Sequence, residues 1–211
     1  MGRRSDAKER LIEAMAGLVH RRGYLGVGVD DVCKAAGVKK GSFYHFFASK
    51  RELMLAALDR QGQMGATHLV GAALAGDPPP LKRIERLLET AARLETSNKA
   101  RGGRVLGCPF GNLAAEVGGS EPILTGRVDE LLCKFSEPVR DALNDAKRSG
   151  DVPRALDVRK ATDAILAYFE GVMLLAKTRN DPSLIKRLAP LAVQLATGPL
   201  TARSRTRGRT F

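Results

Sequence analysis

A chain of 211 residues, 44% hydrophobic and 27% charged, has the composition of an ordinary globular protein, long enough to bury a core without staples. Cys33, Cys108 and Cys133 are too few for a disulfide framework, and His20, His45 and His68 lie at no ligand spacing to them, so no metal and no cofactor are expected. The formal net charge of +12 concentrates at the two ends, around a nearly balanced middle. That distribution fits a duplex-binding head on a globular body, and equally a merely basic surface.

No apolar run approaches the ~20 residues of a membrane span, and Met1–Glu13 is charged rather than leader-like. A cytoplasmic protein with no membrane partner is expected. In chain order, Ser5 can cap a first helix with its apolar stripe on Leu11, Ile12, Met15, Leu18 and Val19, stopped by Gly23. A second helix starts near Val29, with Asp30 and Asp31 at its positive end and Val32, Ala35 and Ala36 facing inward; Gly37 breaks it. A third short helix runs from Lys39 to Phe46 or Phe47. Ser49 and Glu52 form a capping box for a fourth, which continues past Gln63.

Gly62, Gly65, Gly71 and Gly76 then thin the helical signal, and Asp77-Pro78-Pro79-Pro80 is a break. An amphipathic helix follows from Leu81 to about Thr96. Residues 97–107 read as a loop, and Cys108–Val117 as a short helix with Pro109 in its first turn. A long helix spans Pro122 to Arg148, kinked or split by Pro138. Asp157 caps the next, and Asp181 or Pro182 starts the last. The Arg-rich residues after Gly198 read as a disordered basic tail. No alternating strand pattern is present. The fold class is therefore all-α, with eight or nine helices.

The second and third helices, joined by a Gly-containing turn, make a helix-turn-helix, whose second member enters the DNA major groove. Lys39, Lys40 and Ser42 stand at the start of that member, the end that meets base edges, with Tyr44 and His45 able to reach phosphates or bases. Phe43 and Phe47 anchor it to the core. Lys50, at the next helix start, is placed for a phosphate. On periodicity alone, a generic helical turn with surface lysines reads the same way, with His45 an ordinary surface histidine and Tyr44 half-buried packing.

The run from Gly28 to Leu53 resembles the DNA-binding domain of the TetR family of transcriptional regulators. Ala35-Ala36-Gly37-Val38, Lys40-Gly41-Ser42-Phe43-Tyr44-His45 and Ser49-Lys50-Arg51-Glu52-Leu53 carry the resemblance, which covers about residues 5–58. It departs at Gly28, where the family usually caps with Ser or Thr, at Phe46 for His or Tyr, and at Ala48 for Pro. The segments 107–116 and 170–182 are similar to those of a subgroup with LmrA/YxaF-like regulators. The resemblance implies an N-terminal three-helix helix-turn-helix domain (residues 1–50), a helical ligand-binding and dimerisation domain (51–198) and a basic tail (199–211). It further implies a homodimer through the last two helices and Lys39, Lys40, Ser42, Tyr44 and His45 facing a double-stranded operator, with Lys50 on a phosphate. A small-molecule effector of unknown identity would bind in the second domain.

Phe110, Phe135, Tyr168 and Phe169 are available to line such a pocket or simply to pack a core; 5% aromatic residues and no Trp argue against a large cage of stacked rings. Cys108, just ahead of a helix start, is a candidate thiol whose pKa the dipole would lower, or an inert buried cysteine. Three readings follow. One is a repressor released by an effector, one a redox- or electrophile-responsive repressor acting through Cys108, and one a DNA-binding protein without a ligand. No nucleophile–histidine–acid set or phosphate loop supports an enzyme.

Overall fold

The computed structural model describes residues 2–198, so the expectation for the Arg-rich tail lies outside the described residues. Every regular element among them is helical. The first helix, α1 (Gly2–Arg22), starts ahead of Ser5, the position expected to begin it. Its stripe is buried as expected, with Leu11 and Met15 fully enclosed; each such side chain contributes about 1.5–3 kcal/mol relative to exposure.

Helix α2 (Val29–Ala36) ends at Gly37, whose φ of 62° is the left-handed conformation that favours glycine. Gly37 N–H donates to Lys34 O and Val38 N–H to Cys33 O, closing the turn into α3 (Lys40–Phe46). Val32, Cys33 and Ala36 face the core, whereas Ala35 is exposed, correcting the inward face by one position. Ser49 Oγ accepts from Glu52 N–H at 3.1 Å at the start of α4 (Lys50–Gly65), and Glu52 reaches back to Ala48 N–H at 2.7 Å.

Helix α4 does not fade at its glycines. It continues through a π-turn (Ala66–Val70) into α5 (Gly71–Leu74). Gly62 and Gly65 lie where a Cβ would meet Leu131 at 2.7 Å and the Phe135 ring at 2.2 Å. These glycines therefore permit close helix approach. Helix α6 (Pro80–Gly102) also outruns expectation, leaving only residues 103–108 as a connection to α7 (Pro109–Val117). Helix α8 (Pro122–Ser149) passes through Pro138 unbroken. Helix α9 (Val158–Arg179) is capped by Asp157, which accepts from Lys160 N–H, and α10 (Ser183–Thr197) closes the bundle. One contiguous apolar core runs from Leu11 to Ala196, so α1 and α4 belong both to the N-terminal helices and to the body behind them.

Candidate nucleic-acid interface and internal cavity

Phe43 and Phe47, one helical turn apart, are buried and fix α3 to α1 and α2, leaving its other side turned outward. Lys39, Lys40, Ser42, Tyr44 and His45 are all exposed, and Tyr44 keeps 56% of its surface despite lying edge-on to Phe43. Five polar side chains on one outward face, beginning at the helix start, match the chemistry that base edges and phosphates require. The Lys40 ammonium pairs with Asp30 at 2.8 Å, which raises its pKa and ties α3 to α2. At the missing cap of α2, Asp31 accepts from Gly28 N–H at 2.9 Å and, with Arg22 beside it, titrates below the usual carboxylate range. This is the return half of a capping box; the other half, a cap side chain accepting from the Asp31 N–H, is missing because Gly28 has no side chain.

Lys50 sits differently from expectation. Its Nζ donates to Tyr24 O at 2.9 Å and Val27 O at 3.0 Å and lies 4.0 Å from the Tyr24 ring centroid. Burial lowers its pKa. Two of its three donors hold the α1–α2 loop in shape, which leaves one without a hydrogen-bond partner among the described residues.

Behind these helices lies a cavity of about 560 Å³, a size ordinary for a small-molecule site. Helices α1, α4, α6, α7, α8 and α9 all contribute to its wall, which is mostly apolar. Of the five pocket residues expected, Cys108, Phe110, Phe135 and Phe169 line it, and the Phe110 and Phe135 rings pack at 5.3 Å. Tyr168 does not. Its hydroxyl donates to Leu188 O at 2.9 Å, because its side of α9 faces α10.

The polar residues in the wall were not anticipated. Glu95 is 3% exposed, and its Oε2 accepts from Leu106 N–H at 2.6 Å and Gly107 N–H at 3.2 Å. His20 of α1 bonds Gly107 O through Nε2 at 2.8 Å, and burial lowers its pKa. Glu170 is pushed above the usual carboxylate range by burial, although the Cys108 thiol beside it acts the other way. The Cys108 thiol is itself pushed far up by burial and by Glu170. This corrects the expectation of a lowered thiol pKa: desolvation and a neighbouring carboxyl outweigh the start of α7, and the thiolate is disfavoured.

The far end of α7 reaches the N-terminal helices. Glu116 accepts from Tyr24 N–H at 2.6 Å and Leu25 N–H at 2.8 Å, both in the same loop that Lys50 holds. Arg51 pairs with Glu121 at 3.5 Å, and Arg127 with Asp59 at 2.6 Å, adding further ties between α4 and the body.

The sequence profile described as bacterial regulatory proteins, tetR family, matches residues 11–57, and that of the tetracyclin repressor-like C-terminal domain matches residues 80–191. The chain belongs to the TetR family. It is 32% identical over 209 residues to the transcriptional regulator AcuR of Cereibacter sphaeroides, covering 98% of this chain and 86% of AcuR. It is 30% identical over 144 residues to the transcriptional repressor NemR of Escherichia coli, covering 68% of this chain and 62% of NemR. Among solved structures, regulatory protein TetR from Rhodobacter sphaeroides superposes with a TM-score of 0.79 at 28% identity, covering 90% of this chain and 98% of that one. As a TetR-family member the protein is a DNA-binding transcriptional regulator with α2 and α3 as its helix-turn-helix. Among the described residues, no helix is long and apolar enough to cross a membrane, and no group of three or more His, Cys, Asp or Glu could hold a metal ion.

Proposed function

We propose that the protein is a cytoplasmic repressor that holds a near-palindromic operator as a homodimer and is released when a small molecule fills the cavity. The observation that carries this reading is the wall of that cavity. Ala16 and His20 of α1 and Gln61 and Met64 of α4 stand on it, and those two helices also carry the DNA-reading helices. A molecule inside therefore touches the reading head through its own supports. Release requires the effector to bind the DNA-incompetent arrangement more tightly; equal affinity for both would move nothing.

A dimer through α9 and α10 is supported by their outer face. Leu174, Leu175, Leu191 and Leu195 are exposed there, and Gly171 has open space beyond its Cα. Small and apolar residues along two adjacent helices suit a four-helix interface. In such a dimer the two α3 helices would stand about 34–36 Å apart and meet successive major grooves. Base contacts fall to Lys40, Ser42 and Tyr44, with Lys39, His45 and the third donor of Lys50 on phosphates. The repressor direction follows that of the relative NemR, a transcriptional repressor.

Of the two other readings, a DNA-binding protein without a ligand calls for a filled core, and the cavity weighs against it. A sensor acting through Cys108 calls for a reactive thiolate, which its surroundings disfavour. The test is a small-molecule screen scored by thermal stabilisation, followed by operator titration. Compounds that stabilise the protein should weaken operator binding, and a set of stabilising compounds that never alters operator affinity would contradict the reading.

A further inference from the structure

We propose that the cavity is built for an organic amine on an apolar body, its N–H donors held by the carboxyl of Glu170. The inference rests on the reading that the cavity takes a small molecule, and it names the chemistry of that molecule. Glu170 Oε1 is fully buried and has no hydrogen-bond partner among the described residues. Buried polar groups in native proteins are almost always paired, and Glu170 is also one of the residues that line the cavity, so its orphan acceptor marks a place where a donor belongs. The seat of this carboxyl is also specific. A Cβ on Gly111 would meet Glu170 Oε2 at 2.1 Å, so glycine at that position gives the carboxyl its room at the start of α7.

Two other polar groups on the wall, Glu95 and His20, are already committed. Both oxygens of Glu95 are used, by Leu106 N–H, Gly107 N–H and Asn98 Nδ2. His20 Nε2 is committed to Gly107 O. The surrounding wall of Ile84, Leu88, Phe110, Phe135, Phe169 and Met173 is apolar and suits a hydrocarbon or aromatic body. Arg60 is the one Lys or Arg side chain on the wall and is exposed, and Lys177, which reaches Asn112 Oδ1 at 2.8 Å, is not part of the wall. A carboxylate ligand would bring a second unpaired acceptor beside Glu170, whereas an ammonium supplies both the missing donors and the missing counter-charge.

The experiment titrates the full-length protein by calorimetry with 4-phenylbutylamine, 4-phenylbutanol and 4-phenylbutyrate, three probes that share one apolar body. The amine should bind roughly tenfold or more tightly than the carboxylate, with the alcohol between them, and Glu170→Gln should erase that preference. Affinity for the amine no greater than for the carboxylate overturns the proposal, as does an unchanged preference in a folded Glu170→Gln protein. If that variant fails to fold, the ranking of the three probes on the unaltered protein decides alone. Operator titration is read separately. Amines that bind through Glu170 without weakening operator binding would leave the subsite standing and remove the effector reading. Operator release by other molecules in a protein that ignores amines would do the reverse.

Discussion

On α3, the residues that face outward differ in what they can report. Lys40 and Ser42, at the helix start, are the residues proposed for base edges, so Lys40→Ala should cost about 1–3 kcal/mol at the cognate operator and relax its sequence preference. Lys39→Ala should instead weaken binding to every duplex alike and lower the salt slope by about one. Competition titrations against shuffled duplexes at several salt concentrations separate the two; an unaltered preference in Lys40→Ala would take that residue off the bases. Lys50 carries a different consequence. Its ammonium holds two loop carbonyls and stacks on Tyr24, so Lys50→Met should lower the melting temperature as well as operator affinity.

His20 supplies the pH dependence. Burial holds its folded pKa below the ordinary 6.5, so the unfolded chain takes up the proton first as pH falls. Its contribution is complete above 6.5 and is lost as pH drops below that value towards the folded pKa. The melting temperature should therefore decline between about pH 7 and pH 5, and His20→Gln should flatten that part of the profile. The outward residues of α3 were legible in the sequence because Phe43 and Phe47 mark the inward side one turn apart. His20, Glu95 and Glu170 were not, because an isolated polar residue in a helical stripe shows no periodicity and acquires a role only from what the fold sets against it. Tyr168 illustrates the converse: an aromatic on a pocket helix faces α10 because of a rotation about the helix axis that residue type does not reveal.

Among the elements, α7 has one end in the cavity wall and the other on the loop before α2. Cys108 and Phe110 line the cavity, and Glu116 takes the Tyr24 and Leu25 N–H groups. Glu116→Ala should lower stability by about 1–3 kcal/mol, the cost of leaving such donors unpaired. It should also shrink any effector-induced change in operator affinity, measured by titration with and without a stabilising compound. An intact response in that variant would assign the coupling to α1 and α4 alone.

Caps and breaks near the helix starts were readable because the signals are local: Gly37, Ser49 with Glu52, Pro109 and Asp157 each act within a few residues. The extension of α4 was not readable. Gly62 and Gly65 look like helix breakers in sequence, and only the approach of Leu131 and Phe135 from α8 shows that they are required for packing. Gly65→Ala should accordingly destabilise the fold by about 1–3 kcal/mol, the usual cost of overpacking, despite alanine's better helix propensity. A melting temperature equal to or above that of the unaltered protein would contradict this.

At the scale of the whole molecule, TetR-family regulators bind DNA as dimers, and the interface proposed for this chain is the exposed leucine face of α9 and α10. Replacing Leu174 and Leu195 together by Glu should leave a folded monomer with much weaker operator binding, as read by sedimentation and anisotropy. The most direct test of the central claim, that the outward face of α3 reads DNA in a symmetric pair, is a footprint on the DNA flanking the protein's own coding region. The expected result is one protected, near-palindromic stretch with half-sites a helical turn or a multiple of it apart, abolished when Lys39, Lys40, Ser42 and Tyr44 are replaced together by Ala. Protection that survives that replacement would contradict the account, as would indifference of the unaltered protein to all duplex DNA at low ionic strength.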